Sequence, residues 1–152
     1  MKRAGMKLTI TKIKTEDELE AAFKIRKEVF VFEQNVDPEE EYDEFESESH
    51  HFLAKLGNHP VGTARWRRTS EGFKLERFAV LISMRGKGIG IALVEAVLED
   101  LKSFAKEVQE DPKVYMHAQL HAKTFYEKFG FKKVGETFTE CRISHVKMEK
   151  HL

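Results

Sequence analysis

The run from Phe73 to Lys106 restricts the possible folds of this chain more than any other segment. "FKLERFAV" (residues 73–80) alternates apolar and polar side chains, as a half-buried strand does. A few residues on, "RGKGIG" (Arg85–Gly90) puts three glycines into five positions. A helical stripe begins at once, with Ile89, Leu93, Val97, Leu101 and Phe104 on one face. Strand, glycine turn and long amphipathic helix are therefore consecutive. Glycine at a helix start costs backbone entropy. Two reasons can justify that cost: a turn that only glycine can make, or a ligand that must approach the backbone closely. A helix N-terminus supplies unpaired N–H groups and partial positive charge, which suits a phosphate. Arg85 and Lys87 add further positive charge there.

Two phosphate-binding motifs do not fit. The mononucleotide loop G-x-x-x-x-G-K-[ST] fails because Leu81 stands at its first glycine and Gly88 follows Lys87. The dinucleotide motif G-x-G-x-x-G fails because its third glycine falls on Ile91, and the surrounding strands do not form a βαβ unit. What remains is R-x-x-G-x-G at Arg85, Gly88 and Gly90.

The rest of the chain supplies the context. Residues 1–5 form a ragged start, and 6–14 read as a strand. Thr15 and Glu18 make a capping box for a helix carrying Leu19, Ala22, Phe23, Val29 and Phe30 and ending near Glu33. Residues 37–48 hold eight acids in twelve positions, which argues against compact structure apart from a short helix after Pro38. "HHFLAKL" and "VGTARWRR" read as two strands that join residues 73–80 in an antiparallel meander. "KVYMHA" is a short buried strand, and 119–129 read as a helix ended by Gly130. "FKKVGE" and "ISHVKMEK" are two more strands. The order β-α-βββ-α-β-α-ββ gives an α+β fold: a single mixed, mostly antiparallel sheet of about seven strands flanked by helices, in one domain spanning 1–152.

Composition excludes several function classes. Lys and Arg number 26, as do Asp and Glu, so the balanced charge disfavours nucleic acid as a partner. One cysteine, Cys141, rules out an internal disulfide framework and is expected to be structural or simply exposed. No apolar run is long enough to span a bilayer and no signal segment is visible, so a soluble cytoplasmic protein without membrane contact is expected. His117 and His121 are four apart, but a strand-to-helix boundary falls between them and no third ligand accompanies them, so no metal is expected. Trp66 is expected to pack in the sheet, with a place on a cleft wall as the alternative.

"FAVLISMRGKGIGIALVEAVL" resembles the acyl-CoA-binding segment of the GNAT superfamily of N-acetyltransferases. "AKTFYEKFGFKKVGE" (residues 122–136) resembles that family's second signature, A-x-x-x-Y-x-K-x-GF. Both occur in family order and spacing, and the resemblance covers nearly the whole chain. "RKEVFVFEQNVDPEEEYDEFESESHHFLA" is similar to an ElaA-like subgroup. The resemblance implies an acyl-CoA N-acyltransferase fold, split between strands four and five, with acetyl-CoA as cosubstrate. It implies that main-chain groups of Phe78, Ala79 and Val80 bind the pantetheine arm in the split. It implies that Arg85, Gly86, Lys87, Gly88, Ile89 and Gly90 hold the pyrophosphate. Many members carry Asn where this chain has Gln119, which makes similar amide bonds from a longer arm.

The implied activity is acetyl transfer to a primary amine of a small molecule or lysine-like acceptor, by direct attack on the thioester. An acyl-CoA-binding or sensing module without turnover is the alternative. A homodimer is left open. Such an amine is mostly protonated at neutral pH, so a proton must be removed from it and one supplied to the departing sulfur. In members with this signature the tyrosine, here Tyr126, lies near the thioester sulfur and is the candidate acid; packing beside Phe125 and Phe129 is the other reading. Several relatives keep a carboxylate in strand four, which makes Glu76 the candidate base, with a pKa raised by a dry cleft. Pairing with Arg65, Arg67 or Arg77 is its alternative role. Glu33, Glu41, Asp43, His51 and His145 are lesser candidates, and removal through ordered water is open. The acidic stretch is either a solvated loop or a rim that attracts a cationic amine.

Overall fold

The strands run in the order β1-β2-β3-β4-β5-β7-β6 across one seven-stranded sheet. The computed structural model describes residues 6–152, so the ragged start expected at 1–5 lies outside the described residues. The strands are β1 (Leu8–Lys12), β2 (His50–Leu56), β3 (His59–Thr69), β4 (Gly72–Val80), β5 (Lys113–Gln119), β6 (Lys132–Glu140) and β7 (Ile143–His151). All neighbours pair antiparallel except β4 and β5, which run parallel. The α+β class, the mixed sheet and the split between strands four and five are as expected.

Helix α1 (Glu16–Arg26) begins at Thr15, whose hydroxyl accepts the Glu18 amide at 3.2 Å. The Glu18 carboxylate in turn accepts the Lys14 amide at 3.1 Å, one residue earlier than a strict capping box. From Lys27 to Glu33 the helix widens into π winding, closed by the Gln34 amide on the Val29 carbonyl at 3.0 Å. The short helix expected after Pro38 is present as α2 (Pro38–Glu41). Helix α3 (Ile89–Val108) carries the long stripe. The helix expected over 119–129 is shorter: Gln119 completes β5, Leu120–Ala122 form a 3₁₀ turn, and α4 is Lys123–Glu127.

The two faces of the sheet differ in chemistry. One is the main core, where Leu93, Val97 and Leu101 of α3 pack on Trp66, Phe73, Val114 and Met148. Trp66 is wholly buried there, stacked on His50 with centroids 3.9 Å apart, and its Nε1 donates to Asp100 at 2.9 Å. It therefore packs in the sheet, away from the cleft described below. On the other face α1 lays Ala22, Ile25 and Val29 over Leu53 and Ala79. Among the described residues no helix is long and apolar enough to cross a membrane.

Leu101 is 0 % exposed at the centre of the α3 stripe. Leu101→Ala removes buried methyl groups and leaves a cavity, so it should cost about 2–5 kcal/mol. Urea denaturation followed by circular dichroism checks this, with a lowered midpoint and an unchanged slope expected.

Candidate active site

β4 and β5 form a parallel ladder over only three residue pairs, from Phe73↔Val114 to Leu75↔Met116, and then separate. The register of β4 on β3 shifts at the same place, between Thr63 and Arg65. Arg77 and Phe78 stand opposite Ala64 alone, and Arg77 adopts φ 59°, a left-handed conformation uncommon outside glycine. Beyond this bulge the Leu81 amide bonds the Val61 carbonyl at 3.0 Å. Strand alternation then turns the main chain of Ala79 toward β3 and that of Val80 toward the split. The Val80 carbonyl accepts a hydrogen bond from Arg85 Nε at 3.0 Å. The split opens into a cleft of about 880 Å³, the size of a small-molecule site.

The glycine turn stands at one end of the cleft. Gly86 has φ 78°, and Gly88, the N-cap of α3, has φ 82°. A Cβ at either position would meet nothing within 4 Å, so backbone conformation and not crowding calls for glycine. That open space leaves the first amides of α3 approachable, and no side chain caps them. Gly90 lies under the Phe125 ring, 3.4 Å from where a Cβ would stand. Gly86, Gly88, Ile89 and Gly90 all line the cleft, whereas Lys87 is exposed outside it. Arg85 is not a free cation: its guanidinium grips Glu33 at 2.7 and 2.6 Å, which holds the Glu33 carboxyl below its ordinary value.

Tyr126 enters the cleft from α4 among the rings of Phe78, Phe125 and Phe131. Among the described residues its hydroxyl makes no hydrogen bond, and burial pushes its pKa above the ordinary tyrosine value. The group therefore stays protonated. Gln119 lies across from it in an amide pair with Gln34, with Gln119 Nε2 donating at 2.8 Å and Gln34 Nε2 at 3.3 Å.

Glu76 departs from the expected raised pKa. Its carboxylate is 9 % exposed and bonds Arg65 Nη2 at 2.9 Å, Arg67 Nε at 2.7 Å and Lys74 Nζ at 3.2 Å. Burial alone would raise its pKa, but the Arg67 hydrogen bond and the neighbouring cations outweigh it and hold the group at about 2. The acidic stretch is likewise no plain solvated loop. Glu46 takes Arg26 at 2.8 and 2.7 Å and Arg65 at 2.7 Å, Asp43 takes Arg65 at 3.0 and 2.7 Å, and Glu41 takes Arg26 Nε. Arg26 and Arg65 are 1 % and 0 % exposed. Neither Asp43 nor His51 lines the cleft; His51 is buried, its Nε2 is 2.8 Å from the Glu46 carbonyl, and burial lowers its pKa.

Sequence reasoning missed one pair at the far end of the cleft. His117, on β5, sets Nδ1 3.1 Å from Glu140 Oε2 at the end of β6. His145, on β7, lines the same end, with Nδ1 2.7 Å from the Ile143 carbonyl. The available signal was that His117 alternates with buried Met116 and Ala118, which places it on the opposite face. Cys141, half-buried in the β6–β7 turn, donates to Glu40.

Comparison with known proteins agrees with this geometry. Residues 14–152 match the model of the acetyltransferase (GNAT) domain. The uncharacterized N-acetyltransferase YjcF of Bacillus subtilis is 41% identical over 138 residues, covering 90% of this chain and 95% of that protein. Protein ElaA of Escherichia coli is 29% identical over 139 residues, covering 89% of this chain and 88% of its own length. The crystal structure of ElaA superimposes with a TM-score of 0.78 over 95% of this chain and 99% of the other. An acyl-CoA N-acyltransferase from Pseudomonas aeruginosa, 29% identical, superimposes with a TM-score of 0.79 over 96% of this chain and 99% of its own.

The arginine-bound carboxylates make stability depend on acid. Glu76 and Asp43 are each held at about 2 in the folded chain, below their ordinary values of 4.5 and 3.8. A depressed folded pKa adds stability that is complete above the unfolded value and is lost as pH falls toward the folded one. The thermal midpoint should fall gently as pH drops below about 6.5, where half-buried His50 and buried His51 take a proton more readily in the unfolded chain, and steeply between about 5 and 2, Glu76 accounting for on the order of 3 kcal/mol at most. Scanning calorimetry across that range checks this, and Glu76→Gln should flatten the fall.

Proposed function

The chain belongs to the acetyltransferase (GNAT) family, in its ElaA-like branch, and from that membership we propose that it transfers the acetyl group of acetyl-CoA to a primary amine of a small molecule or lysine-like side chain. The observation that carries this reading is the unpaired edge of β4, which ends at an open glycine turn and faces a protonated tyrosine across one cleft.

In this reading Val80, with Phe78 beside it, offers main-chain groups to the amides of the pantetheine arm, which lies in the split as a short added strand. Ala79 does not share that role, because its main chain serves β3. The amides from Gly86 to Gly90 take the pyrophosphate, supported by the α3 dipole. Arg85 joins them by exchanging Glu33 for phosphate oxygen. Gln119 keeps its amide on Gln34 and forms part of the wall beyond the thioester.

The acceptor nitrogen must arrive neutral. As it bonds the carbonyl carbon, an N–H of β4 near Val80 donates to the carbonyl oxygen and stabilises the charge gathering there. The C–S bond then breaks with its electron pair on sulfur. Tyr126 gives that sulfur its proton and recovers one through solvent from the newly acylated nitrogen. Glu76 takes no part in proton transfer: a carboxylate at about 2 has almost no affinity for the proton of an ammonium group. It anchors β4 to β3 beside the reacting centre.

Two variants test the reading separately. Gly88→Asp puts a carboxylate and a strained left-handed residue where the pyrophosphate belongs, and should weaken acetyl-CoA at least tenfold, about 1.4 kcal/mol, by calorimetry. Unchanged affinity in a folded variant would reduce the loop to a turn. Tyr126→Phe keeps the ring and removes the proton donor. Acetyl-CoA affinity should hold while single-turnover thiol release, read with putrescine, cadaverine, tyramine and Nα-acetyl-lysine, drops on the order of 10²-fold. A rate within threefold of wild type, with chemistry limiting, would return Tyr126 to a packing role. Acetyl-CoA binding without thiol release for any amine would make the chain a binding module.

A further inference from the structure

We infer that His117, oriented by Glu140, is the group that takes the proton from the incoming amine. The inference rests on the acyl-transfer reading above and concerns the one step that reading leaves without a side chain. Three of the carboxylates that line the cleft are held by cations, and Glu40 accepts from the Cys141 thiol. Glu76 is bound by two arginines and a lysine, Glu33 by Arg85, and Glu41 by Arg26. Each of these cations favours the ionised form and weakens the carboxylate as a proton acceptor.

His117 is built differently. It is the first residue of β5 beyond Met116, the last to pair with β4, so it stands where the two strands part. Glu140 accepts from Nδ1 at 3.1 Å, and the edge of the Phe138 ring lies against the imidazole, centroids 5.1 Å apart at 81°. With the Nδ1 proton committed to a carboxylate, the lone pair resides on Nε2. Nε2 has no hydrogen-bond partner among the described residues. The carboxylate also stabilises the imidazolium once it forms, as in other His–carboxylate pairs. The side chain is 26% exposed, so the ring can pass its proton to water between turnovers.

Other titratable and charged groups surround the ring; the Tyr115 ring stands 6.1 Å from it between centroids, with its hydroxyl 2.6 Å from that of Thr69. His145 of β7 packs on the far side of Phe138, 5.9 Å between centroids, and acts with His117 on Glu140. Lys147 of β7 is the backbone partner of His117, but its ammonium sits over Tyr115 and beside Glu71 and Glu149. Lys74 of β4 is bound to Glu76 and also acts on Glu140. His145 has no carboxylate partner on Nδ1, only the Ile143 carbonyl, and is 7 % exposed. It is the weaker choice, because a charge gained there is less well compensated and has no comparable route to water.

The protons balance. Nε2 of His117 removes one proton from R–NH3+. The nitrogen forms its C–N bond and loses a second proton, while the departing sulfur gains one from Tyr126. The sum is R–NH3+ plus acetyl-CoA giving the N-acetyl amine, CoA thiol and one proton released through His117.

The test uses the full chain, acetyl-CoA and whichever of the four amines turns over fastest. In wild type, kcat/KM should rise with pH along a limb below the one set by the amine, as a reaction that needs an unprotonated base requires. His117→Gln should lower kcat/KM on the order of 10²-fold and abolish that limb, leaving only the rise set by the amine itself at higher pH. Glu140→Gln should lower it about tenfold by freeing the ring. Acetyl-CoA affinity should stay within twofold in both. Long-range proton–nitrogen spectra of wild type at pH 8.5 should show the Nδ1–H tautomer at His117, replaced in Glu140→Gln by mostly Nε2–H. An intact lower limb in a folded His117→Gln variant overturns the assignment, as does an Nε2–H tautomer in wild type. So does loss of the limb in His145→Gln alone. A wild type that binds acetyl-CoA but acylates none of the amines removes both this assignment and the acyl-transfer reading. Normal wild-type turnover with an unaffected His117→Gln removes the assignment only.

Discussion

β4 pairs with one neighbour along its whole length and with the other for three residues, and the rest of the molecule is arranged around that difference. A strand inside a sheet normally satisfies its main chain on both edges. Here the bulge at Arg77 keeps the outer half of β4 on β3, while β5 turns away to follow β7 down to Gln119 and His145. The main chain of Val80 is left facing a gap, met among the described residues by the Arg85 side chain at its carbonyl. A gap bounded by backbone on one side is suited to a ligand that carries its own amides. The glycine turn follows β4 after only a 3₁₀ turn, Ile82–Met84, so the anion-binding end of α3 comes to the mouth of the same gap.

The second organising feature is the buried charge between β3, β4 and the acidic segment. Taking Arg26 and Arg65 out of water is costly, and only well-formed carboxylate partners offset it. Glu41, Asp43, Glu46 and Glu76 are those partners. The network fastens a segment rich in like charge onto the sheet, where it would otherwise repel itself into solvent. It also separates structure from chemistry. Carboxylates recruited to hold arginines are lost as proton acceptors, which leaves the imidazoles at the β5–β7 end, with Glu40 and Cys141 nearby, among the titratable groups of the cleft that no cation holds.

Much of the fold was legible because it rests on local pattern. The α3 stripe, the meander, the glycine turn and the second signature around Tyr126 each lie within a few turns of chain. What was not legible depends on residues far apart in sequence. Arg26 stands in a helix among the apolar positions Phe23 and Val29, and nothing local tells that Glu46 closes over it. Eight acids in twelve positions read as either a solvated loop or a rim for a cationic amine, since their partners lie on α1 and β3. Glu76 had the right strand for a base, and its alternative role of pairing with Arg65 or Arg67 is the one the fold takes, with Lys74 beside it on the same strand. The His117–Glu140 pair spans 23 residues and a strand reversal. The bulge at Arg77 had no signature at all, as arginine is not a residue that usually marks a left-handed turn.

The two groups of ion pairs also differ in how easily they exchange. The Arg85–Glu33 pair joins the π-wound end of α1 to the glycine turn across the mouth of the cleft, and its side chains are 41% and 31% exposed. A pair so open to water contributes little, about 0–1 kcal/mol, because solvent compensates either partner when the contact breaks. Replacing Glu33 by a diphosphate, which offers two charges and a geometry suited to the guanidinium fork, therefore costs the fold almost nothing. Arg65 is in the opposite position: at 0 % exposure, losing a partner would strand a buried charge. Of these two arginines, the one on the cleft can thus change partners and the one behind its wall cannot. The exchangeable one lies at the end where the proposed cosubstrate carries its negative charge, and the fixed one holds the wall against which an acceptor would be placed.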